Sequence, residues 1–495
     1  MQTAAIPSPV SFDPIAHAAI QSARLTEAVK GILLCSAYYA VAHLRLFSVM
    51  DGAIFLAAAS LLLPAWRPYL LLIGFSVQDA RGQIVPFDYA AVAAMSGLLM
   101  LSAAISGSEI PLTRGLRHYR HLVLMGILLV GYGLVTSTVN HTMGIRTQFE
   151  SRPYYIVCIL MASMIFTAWL ATRQMYMDAF GSTRIKVVAV CILIHIFFIA
   201  IMQFRFGPAF AASPQGMAEI IKQDQASNPG VRGVARLTGP FLSPNALASV
   251  PAFYMLMLLG ARRARELSML FVAGFFVTGI TAAALGAART MFVYYLAAAA
   301  AMTWTRSPSK TMLAMFLALP MVLLVNFDVD GIMTVMRLKN LNSLGARGEL
   351  WQCAIDNLGW AECLFGMGVS HFPNMYYAGL GHPSTDPHTW ILSMIGMFGI
   401  SGVIVYLLIC WRIYRFSRTQ AASRAAMGVA LAVFLFGREL GNTQYLFNHH
   451  PLCCLYWTCI GFVFVRPGEF FESSDDVDYP VRMNDGYSAP LPGGS

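Results

Sequence analysis

The sequence predicts an all-α polytopic membrane protein with about 12 to 14 transmembrane helices and one large extracytoplasmic loop that itself contains helix. Three observations predict it. The chain of 495 residues is 57% hydrophobic and only 12% charged, whereas a soluble domain carries about 25% charged residues. Its apolar residues fall in runs separated by short polar segments. Its Lys and Arg residues concentrate in alternate segments, as they do on the cytoplasmic side of membrane proteins.

The apolar runs lie at 31–47, 52–63, 69–77, 89–105, 122–137, 154–171, 187–203, 241–260, 267–285, 291–304, 312–325, 388–411, 427–436 and 452–465. A membrane helix needs about 20 mostly apolar residues. The second and third runs are short and flank "PAWRP", so they are either two crossings or one broken span. Five basic segments, "TRGLRHYRH", "TRQMYMDAFGSTRIK", "ARRARE", "TRSPSK" and "WRIYRFSRTQAASR", fall on one side when the spans between them are counted. That side is cytoplasmic. The C-terminus then faces the cytoplasm, and so does the N-terminus if the second and third runs cross separately.

The domain organisation follows. Residues 1–30 read as a cytoplasmic tail, 31–327 as a helical bundle with a periplasmic loop near 206–240, and 328–387 as the large periplasmic loop. Residues 388–466 carry the last spans, and 467–495 form an acidic, Pro/Gly-rich tail of disordered composition. Within the large loop, "RGELWQCAIDNLGW" sets Trp351, Ala354, Ile355 and Leu358 at helical spacing, which predicts an amphipathic helix. A loop of that length is usually functional or disordered, and this one is not of low complexity.

The net charge of +9 reads as membrane orientation. No basic stretch is interleaved with aromatic residues in the manner of a nucleic-acid surface, so nucleic acid is not an expected partner. Seven of the nine cysteines lie in apolar runs as small hydrophobes. Cys353 and Cys363 fall in the polar loop and are candidates for a pair if that loop is extracytoplasmic.

The candidate chemistry gathers on the outer side. In "HPSTDPHTW", Asp386 is a favoured N-cap and Pro387 a favoured first helical residue, which predicts His388 in the first turn of a span at its outer mouth. The positive helix end keeps an imidazole there neutral. A neutral imidazole can accept a proton as a general base, and a solvated interfacial histidine is the other reading of this window. His382, Asp386 and His388 also show a metal-ligand spacing, but Pro383 and Pro387 break its regularity and no further ligand cluster accompanies it. No metal is expected.

Arginines on the outer side run against the positive-inside pattern. Arg236 precedes "LTGPFLSPNALA", where Ser243 and Pro244 again mark a helix start. Arg289 closes "GAAR" at an outer helix end, and Arg347 opens "RGELW". Guanidinium groups bind phosphates bidentately; snorkelling and pairing with acids such as Glu349 are the structural alternatives. Gly366 and Gly368 read as loop flexibility, "GMGVSHF" as a weak phosphate-binding signal, and Gly396, Gly399 and Gly402 as close helix packing. His195 reads as a packed polar residue inside a span. Trp351, Trp360, Tyr376 and Tyr377 are candidates for stacking on sugar faces or for anchoring at the interface.

"RLTGPFLSPNALA", then "ART", then "RGELW", "GMGVSHF" and "DPHTWILSMIGMFGISG" together resemble the bacterial O-antigen ligase and polymerase superfamily over roughly residues 236–411. His388, Gly399 and Gly402 match its pattern; Thr389 stands in place of its usual Asn and Met397 in place of its usual Glu. The resemblance implies a metal-independent glycosyltransferase of the bacterial inner membrane. Such an enzyme moves a glycan from undecaprenyl diphosphate to a sugar hydroxyl at the periplasmic face, in ligation or polymerisation of O-antigen or exopolysaccharide, and needs no cofactor. It implies His388 as base, Arg289 and Arg236 as diphosphate holders and Arg347 as a third, with His382 and Asp386 in support. The partners would be the undecaprenyl-diphosphate-linked glycan, an acceptor such as lipid A-core or the growing polysaccharide, and the bilayer. A lipid-linked oligosaccharide transporter is the alternative, and it needs charged groups deep in a central cavity.

Overall fold

The computed structural model describes residues 14–44, 51–76, 97–98, 101, 113–143, 154–206, 237–241, 244–262, 267–286, 289–304, 351–352, 354–356, 358–369, 389–420, 422–438, 446–448 and 452–469. Most of these residues are helical, with no strand among them. Five helices are long and apolar enough to cross a membrane, and shorter apolar helices pack between them.

The helices bring described residues of four basic segments, 113–121, 172–186, 261–262 and 411–424, together at one end of the bundle. We number them α1 (Pro14–Leu44), α2 (Asp51–Leu62), α3 (Arg67–Gly74), α4 (Arg114–Thr142), α5 (Tyr154–Met177), α6 (Gly181–Phe206) and α7 (Pro244–Gly260). Then follow α8 (Met269–Leu285), α9 (Arg289–Trp304), α10 (Trp360–Phe365), α11 (Trp390–Ser417), α12 (Ala422–Arg438) and α13 (Leu452–Phe464). Contacts tie the basic end together. Ser182 at the start of α6 donates to the Ala261 carbonyl after α7 at 2.7 Å. The Gly468 N–H, beyond α13, donates to Met175 near the end of α5 at 3.0 Å. Of the five basic segments, 305–310, residues 263–266 and residue 421 lie outside the described residues.

The short second and third runs are separate helices. α2 descends, a 3-10 turn at Pro64–Trp66 reverses the chain, and α3 returns. Leu56 lies against Gly74 across the hairpin, and the Arg67 side chain donates to the Ser60 carbonyl at 2.8 Å. The turn is pinned by a buried ionic cluster. Arg184 at the start of α6 bonds Glu27 of α1 through Nη2 at 2.6 Å and Asp178 through Nη1 at 2.7 Å. The Trp66 indole donates to Glu27 at 3.1 Å, and the Tyr69 hydroxyl donates to Asp178 at 2.8 Å. Every charge taken out of water here meets an opposite charge or a hydrogen bond, which is the condition for burying it.

Helix ends differ from the hydropathy boundaries. α1 starts at Pro14, well before the apolar run at 31, because helical hydrogen bonding continues through residues too polar to count toward a span. α7 starts at Pro244 as its sequence predicts. The run at 312–325 lies outside the described residues. In the large loop, 351–352 and 354–356 are helical. Ala354 is buried there while Ile355 is exposed, so the predicted apolar face is only partly used. Cys363 is a free thiol; Cys353 lies outside the described residues.

Candidate functional site

The apolar run after His388 does not form one straight span. α11 contains a non-helical residue, Gly399, with φ 67° and ψ −161°, a conformation essentially restricted to glycine. The chain folds back there. The Trp390 and Tyr406 rings stack with centroids 4.3 Å apart, and a Cβ on Gly402 would come within 2.9 Å of the Met394 carbonyl. Residues 390–398 and 400–417 are therefore two antiparallel helices joined at Gly399. The expected packing role survives at Gly402, but Gly399 is a hinge of fixed conformation.

This fold-back moves the start of the segment. Tyr406 lies seven residues beyond Gly399, about 10 Å along the second helix toward the basic end. Trp390 is level with it and 1% exposed. The helix start expected at the outer mouth is thus inside the bundle. Its cap differs too. Thr389 is the N-cap, in extended conformation with φ −148° and ψ 131°, and Trp390 is the first helical residue. A helix beginning at Pro387 would have to pass through Thr389, which is not helical. The N-cap role read for Asp386, with Pro387 in the first turn, is therefore replaced by Thr389. The Ser393 N–H and hydroxyl both reach the Thr389 carbonyl, at 3.1 and 2.9 Å. His382, Asp386 and His388 themselves lie outside the described residues.

The polar loop enters the bundle at the fold-back. α10 ends at Phe365, and residues 366–369 run between α4 and α11. The Met367 and Gly368 N–H groups donate to the Gly396 and Met397 carbonyls, at 2.7 and 3.1 Å, filling acceptors that the end of a helix leaves open. From α4, Asn140 donates to the Met367 carbonyl at 2.6 Å, Ser137 accepts from the Val369 N–H at 3.0 Å, and Tyr132 donates to the Phe365 carbonyl at 2.8 Å. Gly366 and Gly368 adopt φ of 77° and 92°. They are locked by this strip, contrary to the flexibility read from their sequence.

A second loop is held as tightly. The Gln203 amide, near the end of α6, accepts from the Gly239 N–H at 2.8 Å and donates to the Gly239 carbonyl at 3.0 Å. Gly239 has φ 60°. The Leu237 N–H donates to the Leu285 carbonyl at 3.2 Å, which joins the segment following Arg236 to the end of α8. Arg289 is the first residue of α9, so its backbone belongs to the same corner. Arg236 and Arg347 lie outside the described residues.

Contacts connect this corner to Trp390. The Trp390 and Phe436 rings are 5.9 Å apart. The next residue, Gly437, packs against Tyr294 of α9, at 3.0 Å from a built Cβ. Tyr294 is about 7.5 Å along α9 from Arg289. Among the described residues, the Trp390 indole N–H is buried without a hydrogen-bond partner. His195 is a packing residue, stacked on Tyr39 with centroids 3.6 Å apart.

Residues 269–407 match the O-antigen ligase family. The matched segment opens at the first residue of α8 and closes one residue beyond Tyr406, so it contains the turn at Gly399 and the Trp390–Tyr406 stack together with Arg289, Arg347, His382, Asp386 and His388. Arg236 lies outside it. The chain matches no curated protein. Gln203, Ser137 and Asn140, which hold the two loops, also lie outside the family segment. They carry no motif, and hydropathy treats them as polar interruptions in a span.

Proposed function

We propose that the protein is a membrane glycosyltransferase of the O-antigen ligase and polymerase kind. It moves a glycan from undecaprenyl diphosphate to a sugar hydroxyl at the periplasmic face of the inner membrane. The observation that carries the reading is the contact of α12 with both sides of the site: Phe436 touches Trp390, two residues after His388, and Gly437 touches Tyr294, on the helix that Arg289 begins. The family match over 269–407 supports the same reading.

In this reading His388 takes the proton of the acceptor hydroxyl as that oxygen attacks the anomeric carbon. The bond from anomeric carbon to phosphate oxygen breaks, and undecaprenyl diphosphate leaves with the electron pair. Arg289, Arg236 and Arg347 hold its negative charge through charge-assisted bonds, and no metal is assigned. His382 and Asp386 are supporting residues. The unpartnered Trp390 N–H is a donor available to a substrate oxygen. A buried donor without a partner costs about 1–3 kcal/mol, which a bound oxygen acceptor would recover.

The transporter alternative has less support. The buried charges of Glu27, Asp178 and Arg184 already satisfy one another and sit at the basic end. The deciding test is His388→Ala, assayed for transfer from an undecaprenyl-diphosphate-linked donor by purified protein. Loss of transfer with normal membrane insertion is expected, and full transfer would sink the reading. The products of a deletion strain then separate the two acceptor classes: no attached glycan indicates ligation, and single repeats indicate polymerisation.

A further inference from the structure

A cavity of about 440 Å³ opens at the basic end between α4, the end of α11 and the end of α13. Arg114, His118, Arg412 and Arg415 line it together with Trp411, Phe416 and Phe464. Counted along α4 from Arg114 to Gly133, which packs on Phe398, it is about 28 Å from the fold-back at Gly399. It therefore belongs to neither the ligase-family loops nor the proposed reaction.

The charge balance of this cavity is one-sided. Among the described residues no ion pair neutralises Arg114, Arg412 or Arg415; the nearby Glu469 is taken by Arg424 at 3.1 Å. Arg114 is also the first residue of α4, with no acidic residue in that turn. A cation at a helix start faces the positive end of the dipole, so the local potential is more positive than the side chains alone make it. The apolar wall is open sideways. Leu408 and Trp411 line the cavity and are 41% and 55% exposed, on the flank of a helix that is apolar above them.

We infer that this cavity binds an anionic glycerophospholipid, its phosphate between Arg114, Arg412 and Arg415 and an acyl chain along Leu408 and Trp411. Basic pockets between membrane helices suit lipid head groups, and planar guanidinium groups suit phosphate. The lateral opening onto an apolar flank favours a lipid over a soluble phosphate, which would leave that wall unused.

The test is native mass spectrometry of the full-length protein in detergent with equal amounts of phosphatidylglycerol and phosphatidylcholine. The first bound lipid should be phosphatidylglycerol by about tenfold. Arg412→Gln with Arg415→Gln should bring that ratio close to one while the protein still elutes as a single species. If that double variant does not purify, Arg114→Gln should lower the ratio by itself. Equal binding of the two lipids by the unaltered protein would overturn the inference. So would displacement of phosphatidylglycerol by an equal concentration of inorganic phosphate, which would identify a site for soluble anions. Neither readout involves glycan transfer, so this inference and the proposed function fail separately.

Discussion

Trp390 stacks face to face on Tyr406 at 4.3 Å although sixteen residues of apparently continuous helix separate them. A straight α-helix would hold them about 24 Å apart. The stack shows that the segment after His388 is a helical hairpin, and Gly399 is the residue that makes it possible.

Replacing Gly399 should therefore be severe. Its backbone angles are nearly forbidden to other residues, at about 1–3 kcal/mol. A Cβ there would also run into the Leu364 carbonyl and the Gly366 N–H. Gly399→Ala is expected to lower the midpoint of thermal unfolding in detergent and to abolish transfer. Gly131→Ala is the control, since nothing lies within 4 Å of that position and alanine favours a helix. An unchanged melting midpoint for Gly399→Ala would refute the hairpin.

Trp390→Phe keeps a ring to stack on Tyr406 and removes the indole N–H. If that N–H meets a substrate oxygen, KM for the lipid-linked donor or the acceptor should rise by about tenfold, the equivalent of one good hydrogen bond. The melting midpoint should hold or rise, because the variant loses an unpaired buried donor. A lower midpoint with unchanged KM would assign the indole a purely structural role.

Gln203 holds both N–H and carbonyl of Gly239, which stands three residues after Arg236. Gln203→Leu leaves the buried Thr238 and Gly239 N–H groups, which both donate to its side-chain oxygen, unpaired at about 1–3 kcal/mol each. Donor binding should weaken more than folding suffers, because the loop leads directly to a proposed diphosphate holder. Titration of donor against purified variant measures this, and donor affinity equal to the parent's would contradict it.

The Glu27–Arg184–Asp178 cluster governs stability alone. Its Arg184 and Glu27 side chains are 7% and 9% exposed; Arg184→Met destabilises by less than the about 3–5 kcal/mol of a fully unpaired buried charge, because Glu27 keeps Lys30 at 2.7 Å and Asp178 keeps the Tyr69 hydroxyl at 2.8 Å. Combining Arg184→Met with Glu27→Leu should recover part of that loss, which a double-mutant cycle on thermal unfolding reads. Strict additivity would show that the pair is not coupled.

Much of this fold was legible in the sequence. The alternation of apolar runs and basic segments carries the all-α membrane class, because the bilayer imposes helix length and charge bias on the chain locally. Pro244 marks the start of α7, and PAWRP marks the turn between α2 and α3. The motif residues also pointed to the segment that matches the O-antigen ligase family. Only the tertiary structure decided where that segment goes. A hydropathy run has the same appearance whether it crosses or folds back, and Gly396, Gly399 and Gly402 share one spacing while only Gly399 has positive φ. What selects Gly399 is the partner it meets: the strip at Gly366–Gly368, brought from thirty residues earlier and held by Ser137 and Asn140 of α4. Likewise nothing near Gly239 announces Gln203. Local chemistry is written in neighbouring residues, whereas the closing of one helix end by another loop depends on contacts between residues far apart in the chain.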